Sequence, residues 1–481
     1  MIFNSLEFLI FLPIVFLLYW FVFKPLKWQN LLVVVVSYIF YGWWDWRFLI
    51  LIAFTTFCSF LSGLLIEKYD GVRRKQRWVS AANIILNLSI LGVFKYYNFF
   101  VDNLQILLAQ IGINLDWPTL HIILPVGISF YTFQALSYSI DVYRKKLKAT
   151  RDIVAFFAFI SFFPQLVAGP IERATNLLPQ FLSSRTFNEA KAVDGLRQIL
   201  WGFFKKVVVA DTCASTLMYI WGDYQHMSGI SLFLGGLLFT SQIYGDFSGY
   251  SDIAIGTARL FGIDLKQNFN YPYFSRSIPE FWRRWHMSLM TWFRDYIYFP
   301  LGGSHCSKMK VIRNVFIVWG VSGLWHGANW TFICWGLYHA CLLAVYNVLG
   351  VNTKYEHEVA YGKWIPSIRE SCQLLLTFFL AVIGWIIFRA ETMTQAVSYL
   401  YRMFTSPFEG MSVGSIKYTF SFIIIMMIVE WIQRDKKHAL EFSHPHGILG
   451  YRLTRWAIYL SVLLITLVFA GEQSQFIYFQ F

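Results

Sequence analysis

The sequence predicts an all-α polytopic membrane protein, and three observations support that prediction. Hydrophobic residues make up 57% of the 481 positions, and the mean hydropathy is +0.50. Charged residues contribute only 14%, whereas soluble domains carry about 25%. Stretches of about 20 apolar residues, the length that crosses a bilayer as a helix, recur from one end of the chain to the other. An ordinary soluble fold is therefore excluded.

The apolar stretches define the expected helices in chain order. They cover residues 6–23, 30–44, 47–65, 79–99, 119–140, 152–169, 196–220, 228–245, 311–325, 330–350, 373–389, 417–432 and 455–471. We expect about ten to thirteen hydrophobic helices, some of them half-length or re-entrant. The first stretch is expected to remain as a helix, since Trp20, Phe21 and Phe23 occupy the place where a cleavable signal needs small residues. No soluble domain boundary is visible, so residues 1–481 are predicted to form a single integral-membrane domain.

Composition also restricts the partners of the chain. Aromatic residues contribute 20% of the positions, and amphipathic rings suit contact with membrane lipid at the water interface. The net charge of +13 lies in short connections, which is typical of an orientation signal and not of a nucleic-acid surface. The six cysteines form no Cys-x-x-Cys pair, so we expect free thiols and no disulfide framework.

Basic clusters predict the orientation in the membrane. They follow the first, third and fifth apolar stretches, at residues 24–27, 73–77 and 144–151. By the positive-inside rule these loops are cytoplasmic, which places the N-terminus outside. Basic residues at 434–437 and 452–455 flank the final stretch on its inner side. Residues 472–481 are therefore predicted to form an extracytoplasmic, aromatic C-terminal tail.

Residues 242–300 hold the densest polar content and do not alternate as simple spans. Charged segments at membrane depth are tolerated only where protein or a water-filled cavity covers them. We expect this stretch to line a cavity or to lie along the cytoplasmic face. Asp246 and Asp252 are candidates for supporting a site, or for structural hydrogen bonds alone. Arg283 and Arg284 are candidates for binding the phosphates of a donor, unless they pair with neighbouring acidic side chains.

Histidines are the strongest candidates for chemistry. Residues 325–330 read Trp-His-Gly-Ala-Asn-Trp and place His326 in one of the most apolar parts of the chain. An ionisable group at membrane depth is a functional-site hypothesis, and the alternative is a hydrogen-bonded core histidine. His286 is the second candidate, either lining a cavity or making a structural hydrogen bond. His339 falls about 140° from His326 around a straight helix, so it is interpreted as structural. No His, Cys and Asp spacing forms a metal-ligand set, so no metal site is predicted.

Taken together, these motifs resemble the membrane-bound O-acyltransferase family. The resemblance is carried by six blocks in order, at residues 125–134, 163–173, 246–259, 268–288, 293–303 and 325–330. It is most similar to the bacterial alginate O-acetyltransferase-like branch, which is related to the teichoic-acid D-alanyl transferases. The resemblance implies a helical shell with a central tunnel that joins a cytoplasmic donor entrance to an outer acceptor entrance. It also implies that His326 is the catalytic histidine and that His286 is the second signature residue.

The implied chemistry is acyl transfer from a thioester to a hydroxyl. His326 would act as the base, because a neutral imidazole accepts a proton near physiological pH and burial disfavours its charged form. Asn329 and Ser322 would share its face if the helix continues, and could fix its tautomer or stabilise the oxyanion. Gly323 and Gly327 would let a substrate approach the backbone closely.

The resemblance further implies the donor, partners and location. The donor would be acetyl-coenzyme A or an acyl carrier, with no permanently bound cofactor. The acyl group would reach an extracytoplasmic polysaccharide either directly or through an extracytoplasmic SGNH-type partner protein that completes the transfer. Tyr478 in the tail would accept the acyl group before onward transfer, unless the tail is only an interfacial anchor. The location would be the bacterial inner membrane, with both termini outside.

Two other functions remain open at this point. A D-alanyl transferase to teichoic acid would use the same fold and base with a small carrier protein as donor. A proton-coupled transporter would use Asp246, Asp252 and His326 as a proton relay. Transporters of that kind are often built from inverted repeats, and the two halves of this sequence show no self-similarity.

Overall fold

A computed structural model of the protein describes residues 1–114, 117–120, 123–351, 355–412, 417–442, 447–471, 474 and 476–477. These residues form helices joined by short connections. Extended pairing within them is limited to a single bridge between Met227 and Met411. The predicted all-α class is therefore confirmed.

The chain divides into two compact units, each described separately below. The first comprises Met1–Ala192 with Thr257–Lys266, and the second comprises Val193–Gly256 with Gln267–Phe481. Helices that begin in the first unit are α1 (Leu6–Leu17), α2 (Leu26–Gly42), α3 (Arg47–Lys68), α4 (Arg73–Leu91), α5 (Tyr97–Gln110), α6 (Ile128–Tyr143), α7 (Ile153–Ser161), α8 (Phe163–Leu166), α9 (Ala174–Leu182) and α10 (Glu189–Phe203). Helices that begin in the second unit are α11 (Asp211–Gly222), α12 (Gly229–Leu260), α13 (Ile278–Arg284), α14 (Met287–Phe293), α15 (Lys308–His326), α16 (Trp330–Val348), α17 (Ile368–Arg389), α18 (Met393–Thr405), α19 (Lys417–Ile432) and α20 (Arg452–Val468).

Short 3₁₀ and π-helical turns complete the described helical structure. The π-helical turns cover Leu18–Val22, Gly92–Tyr96, Phe204–Ala210 and Arg294–Tyr298. The 3₁₀ turns cover Pro272–Phe274 and Gly447–Gly450. A π-turn adds a residue to the helical repeat and often marks a functional position. The π-turn after α10 contains Lys205 and Lys206, which form ion pairs with Asp252 and Asp246 in the second unit.

Both units contain helices that are long and apolar enough to cross a membrane. Within the described ranges, four helical segments are long and apolar enough to span a bilayer: Arg47–Lys68, Arg73–Gln110, Trp330–Val348 and Ile368–Arg389. The predicted stretch 152–169 instead folds as the short helices α7 and α8. Half-length helices were expected, and this stretch provides an example.

Long-range hydrogen bonds hold the helices of the first unit. The Tyr19 hydroxyl donates to the Phe261 carbonyl oxygen at 3.0 Å, and the Asn30 amide donates to the Phe181 carbonyl oxygen at 2.7 Å. Both donors are buried side chains on α1–α2 and the turn between them. Each bond satisfies a main-chain oxygen that water cannot reach, which stabilises the packing of segments distant in sequence.

In the second unit, α12 packs very closely against the end of α10. A Cβ atom added at Gly249 would lie 2.8 Å from the Gly202 carbonyl oxygen, and one added at Gly202 would lie 2.7 Å from the Gly249 carbonyl oxygen. Only glycine allows this approach of two backbones. It brings the π-turn after α10, with Lys205 and Lys206, alongside the polar part of α12.

The helix α12 also corrects a boundary expectation. The sequence predicted an apolar span that ends at residue 245, whereas the helix continues to Leu260. The polar residues beyond 245 are accommodated because their partners lie within the protein. Asp246 pairs with Lys206 at 2.7 Å and Asp252 pairs with Lys205 at 2.6 Å.

Candidate active site

His326 is the last residue of α15 and is buried in a shell of aromatic rings. Its ring centroid lies 4.9 Å from that of Trp325, 5.0 Å from that of Trp335 and 5.3 Å from that of Phe388. The side chain retains 6% exposure, so the imidazole is almost completely removed from solvent. Such a setting disfavours the charged imidazolium and favours a neutral ring that can accept a proton.

His286 lies between α13 and α14 in a strained backbone conformation. Its φ of 44° is in the left-handed region, which costs a non-glycine residue about 1–2 kcal/mol. The residue is 1% exposed. Desolvation by burial lowers the pKa of His286 to about 3, so its ring is neutral at physiological pH. Strain of this kind persists only where surrounding contacts hold the residue in place.

Asn268 provides those contacts and determines the tautomer of His286. The amide nitrogen of Asn268 donates to the Ser251 hydroxyl at 3.0 Å. Its oxygen accepts the hydroxyl of Ser288 at 2.9 Å and lies 3.0 Å from Nδ1 of His286. An amide oxygen only accepts, so Nδ1 of His286 carries the proton. Nε2 is therefore the basic nitrogen of this ring.

Trp325 connects the two predicted histidines. Its ring centroid is 6.1 Å from that of His286 and 4.9 Å from that of His326. The structure thus brings residues from two distant motifs around one tryptophan in the second unit. His339, interpreted as structural, accepts a hydrogen bond at Nδ1 from the Trp282 indole at 3.2 Å.

Two residues predicted to support His326 occupy different positions. Ser322 is buried one turn earlier on α15, where a shared face was expected. The helix does not continue to Asn329, so the condition for a shared face is not met: α15 ends at His326 and Gly327 is extended. Asn329 instead caps α16: its side-chain oxygen accepts the Thr331 amide at 3.1 Å, and its amide donates to the Glu391 carbonyl oxygen at 2.8 Å.

The glycines beside His326 serve helix packing in this structure. A Cβ at Gly323 would lie 2.3 Å from the Phe332 carbonyl oxygen, and one at Gly327 would lie 2.2 Å from the Phe332 ring. The close approach at these two glycines is made by α16 in this structure, and an approach of substrate to the backbone here stays a prediction. This packing seats α15 and α16 against each other around His326.

The predicted carboxylates on α12 belong to two different ion-pair clusters. Asp252 binds Lys205 at 2.6 Å and accepts the Gln198 amide at 2.7 Å. Asp246 binds Lys206 at 2.7 Å, and its second oxygen accepts the backbone N–H of Ile477 at 2.6 Å. Asp252 thus stabilises the packing of the π-turn on α12, whereas Asp246 contacts the C-terminal segment.

The two candidate donor-binding arginines differ in accessibility. Arg284 is buried and pairs with Glu280 at 2.9 Å and Glu358 at 2.6 Å, which favours the structural alternative for this residue. Arg283 is exposed and remains the candidate of the two that a soluble donor could reach. Asp295 pairs with Arg294 at 2.8 Å and is therefore engaged by a different arginine.

Tyr478, predicted to lie in an acceptor tail, is outside the described residues. Within the predicted tail, residues 472–481, the described residues are Ser474, Phe476 and Ile477. Phe476 and Ile477 are buried, and the Phe476 ring centroid is 4.9 Å from that of Tyr250 on α12. The segment next to Tyr478 is therefore inserted into the second unit.

Three residues that sequence reasoning did not single out complete this site. Asn268 orients His286, and Lys206 with Asp211 binds the C-terminal segment beside Asp246. For Lys206 and Asp211 the available signal was a charged side chain in the apolar stretch 196–220, and for Asn268 it was a position in the polar segment 242–300. Their partners lie far away in sequence, so the signal could not say which role each plays.

Comparisons with known proteins agree with this arrangement of motifs. The sequence profile of the membrane-bound O-acyltransferase family matches residues 35–358. The chain is 42% identical to the probable alginate O-acetylase AlgI of Pseudomonas aeruginosa over 412 residues, which cover 85% of this chain and 75% of that protein. It is 32% identical to the peptidoglycan O-acetyltransferase of Helicobacter pylori, with 100% of this chain and 98% of that protein covered. It is 31% identical to the teichoic acid D-alanyltransferase of Bacillus subtilis, with 60% and 75% covered.

Proposed function

The chain belongs to the membrane-bound O-acyltransferase family and is therefore a membrane acyltransferase, and we propose that it moves an acetyl group across the membrane for O-acetylation of an extracytoplasmic cell-envelope polysaccharide. Relatives named for O-acetylation of alginate or peptidoglycan align with more of this chain than the relative named for D-alanyl transfer. That difference in coverage favours acetyl over D-alanyl as the transferred group.

The observation that carries the proposal is the contact of both motif histidines with Trp325. Acyl transfer to a hydroxyl needs a base that is neutral before reaction and sheltered from water. His326 meets both requirements by its burial among aromatic rings. His286 adds a second neutral ring with a defined basic nitrogen.

The proposed reaction begins with His326. An imidazole nitrogen of His326 takes the proton of the acceptor hydroxyl while the hydroxyl oxygen attacks the carbonyl carbon of the thioester. The tetrahedral intermediate collapses, the carbon–sulfur bond breaks, and the departing thiolate takes the proton back from His326. Before this step, Nε2 of His286 accepts the hydrogen bond of the incoming hydroxyl and so guides the hydroxyl toward the carbonyl carbon. The hydroxyl then turns its single proton to His326 as it attacks.

The donor is proposed to enter from the cytoplasm and the acceptor from outside. The basic loops predict this orientation through the positive-inside rule. Acetyl-coenzyme A fits the proposal, because exposed Arg283 offers a guanidinium that matches phosphate geometry. A passage from each side to the His326 ring is part of the proposal, since the two substrates are soluble in opposite compartments.

Onward transfer is proposed to use the C-terminal tail. Tyr478 would receive the acetyl group on its phenolic oxygen and pass it to an extracytoplasmic SGNH-type partner, which would modify the polysaccharide. Support comes from Ile477, whose backbone is bound by Asp246 in the second unit, the unit that also holds His286 and His326.

The direct test measures acetyl transfer by the purified protein in liposomes. Radiolabelled acetyl-coenzyme A is supplied on the cytoplasmic side, and label is followed into the protein and into added partner and polysaccharide. We expect His326→Gln to lower transfer by about 10²–10⁴-fold, the usual contribution of a general base. His339→Gln is the matched control, because it removes another buried histidine of the same unit.

Several outcomes separate the alternatives. Full transfer by His326→Gln at normal expression would falsify the base assignment. Transfer from a D-alanyl carrier but not from acetyl-coenzyme A would favour the teichoic-acid function. Proton-coupled substrate flux without any acyl incorporation would favour a transporter.

A further inference from the structure

A buried charged cluster in the second unit lies at the junction of α11, α12 and the π-turn after α10. Lys206 donates to Asp211 at 2.9 Å and forms an ion pair with Asp246 at 2.7 Å. The three side chains are only 8%, 7% and 3% exposed, respectively. Close packing at Gly249 brings the π-turn against α12 and so places Lys206 beside Asp246.

Each member of the cluster also bonds the C-terminal segment. Lys206 donates to the Ser474 carbonyl oxygen at 3.2 Å, and the Ser474 hydroxyl donates to Asp211. The backbone N–H of Ile477 donates to Asp246 at 2.6 Å. Two of these three bonds involve the main chain of the segment, so most of the recognition does not depend on side-chain identity.

The charge balance of the cluster explains why it binds this segment. One ammonium group faces two carboxylates, which leaves an excess negative charge at a site almost closed to water. A buried charge is costly unless hydrogen bonds compensate it. The Ile477 N–H and the Ser474 hydroxyl each donate to one carboxylate, and donors of this kind supply the missing compensation.

We propose that Lys206, Asp211 and Asp246 form a tail seat, a binding site for the C-terminal segment at Ser474 and Ile477. The seat is a positioning device: it holds the segment that immediately precedes Tyr478. It also holds Phe476 against Phe247 with ring centroids 6.3 Å apart, and Phe247 lies 4.7 Å from the ring of His286. The register of the tail relative to His286 is thereby determined by the seat.

The consequence for activity rests on the proposed function, but the seat itself does not. The first measurement is hydrogen–deuterium exchange of the C-terminal peptide in the intact protein in detergent micelles. Asp246→Ala is expected to speed exchange of the Ile477 amide by about tenfold or more, because a charge-assisted hydrogen bond is lost. Asp252→Ala is the matched control: it removes a lysine-paired carboxylate from the same helix, but its bonds are to Lys205 and Gln198.

A second variant changes the tail and leaves the cluster unaltered. Ile477→Pro removes the N–H that Asp246 accepts, since proline has no amide hydrogen. Exchange of the remaining tail amides is expected to rise, whereas Ile477→Val retains the N–H and is expected to behave as the unmodified protein. If Asp246→Ala fails to fold, as judged by faster exchange throughout the second unit, this variant decides.

Measuring acetyl transfer in the same variants distinguishes the tail seat from the relay, by which we mean the proposed passage of the acetyl group through Tyr478. Faster tail exchange together with reduced acetyl transfer supports both. Faster tail exchange with full transfer supports the seat and overturns the relay through Tyr478. Unchanged tail exchange in Ile477→Pro overturns the seat, whatever the transfer rate.

Discussion

Replacing Asn268 is expected to remove the hydrogen bond that determines the tautomer of His286. In the structure the Asn268 oxygen accepts hydrogen bonds from Nδ1 of His286 at 3.0 Å and from the Ser288 hydroxyl at 2.9 Å, while its amide nitrogen donates to the Ser251 hydroxyl at 3.0 Å. Asn268→Ala removes all three bonds. Asn268→Asp retains an acceptor at the same place and adds a negative charge.

The magnitude follows from the bonds that are lost. A neutral hydrogen bond contributes about 1 kcal/mol net, and a buried polar group left without its bond costs about 1–3 kcal/mol. For three bonds, Asn268→Ala is expected to reduce the free energy of unfolding by about 3 kcal/mol. Without the bond at Nδ1 the ring of His286 is no longer held in its orientation. This is expected to raise the activation free energy by about 1.4 kcal/mol, which corresponds to about a tenfold loss of acetyl transfer.

The assay is the rate of acetyl transfer in liposomes as a function of pH, with thermal unfolding measured in detergent. In the unmodified protein burial lowers the pKa of His286 to about 3, so protonation of its ring does not limit transfer near neutral pH. In Asn268→Asp the adjacent carboxylate raises the pKa of His286. Loss of activity on acidification must then begin at a higher pH than in the unmodified protein.

Two results would refute this reasoning. The first is Asn268→Ala with unmodified activity at equal folded concentration, which would show that the ring needs no fixed tautomer. The second is an unshifted acidic limb in Asn268→Asp, which would show that His286 plays no part in transfer.

The remaining predictions concern stability. Glu280→Gln is expected to lower the free energy of unfolding by about 3–5 kcal/mol, because Arg276 and Arg284 lose their shared buried carboxylate. Burial acts to raise the pKa of Glu280, but hydrogen bonds from Arg276 and the charge of Arg284 hold it below its ordinary value. The stabilisation by Glu280 is therefore present above about pH 4.3 and is lost as the pH falls through the folded-state pKa. The free energies of unfolding of the unmodified protein and of Glu280→Gln must then become equal in acid. Gly323→Ala is expected to destabilise the protein by about 1–3 kcal/mol, since the new Cβ would lie 2.3 Å from a carbonyl oxygen of α16. Gly320→Ala, at a position of α15 with open space, should leave the unfolding temperature unchanged or raise it; equal effects of the two substitutions would contradict the packing argument.

Hydropathy and motif order were sufficient to predict the class of fold and the family. A helix in lipid must satisfy its own backbone hydrogen bonds, so an apolar stretch of sufficient length has few alternatives to helix. This is why the predicted stretches 47–65, 330–350 and 373–389 each correspond to an observed helix. The motif around His326 needed no structure to be recognised, because an imidazole in such an apolar segment is unusual.

The same reasoning failed where polar residues have partners within the protein. Hydropathy ended the predicted span at 245 because Asp246 and Asp252 follow, yet α12 continues to Leu260. Each carboxylate is paired with a lysine from the preceding π-turn. Hydropathy evaluates each residue as if lipid or water surrounded it, and cannot anticipate an ion pair across two helices.

The sequence alone therefore determined the helical class, the membrane environment and the choice of candidate histidines, since these depend on local composition and on motif order. Only the tertiary structure decided that Asn268 orients His286, that Trp325 lies between the two histidines, and that Asp246 binds the tail at Ile477 across 231 residues. Such pairings depend on how closely helices approach, and that distance is determined by packing at positions far apart in the chain.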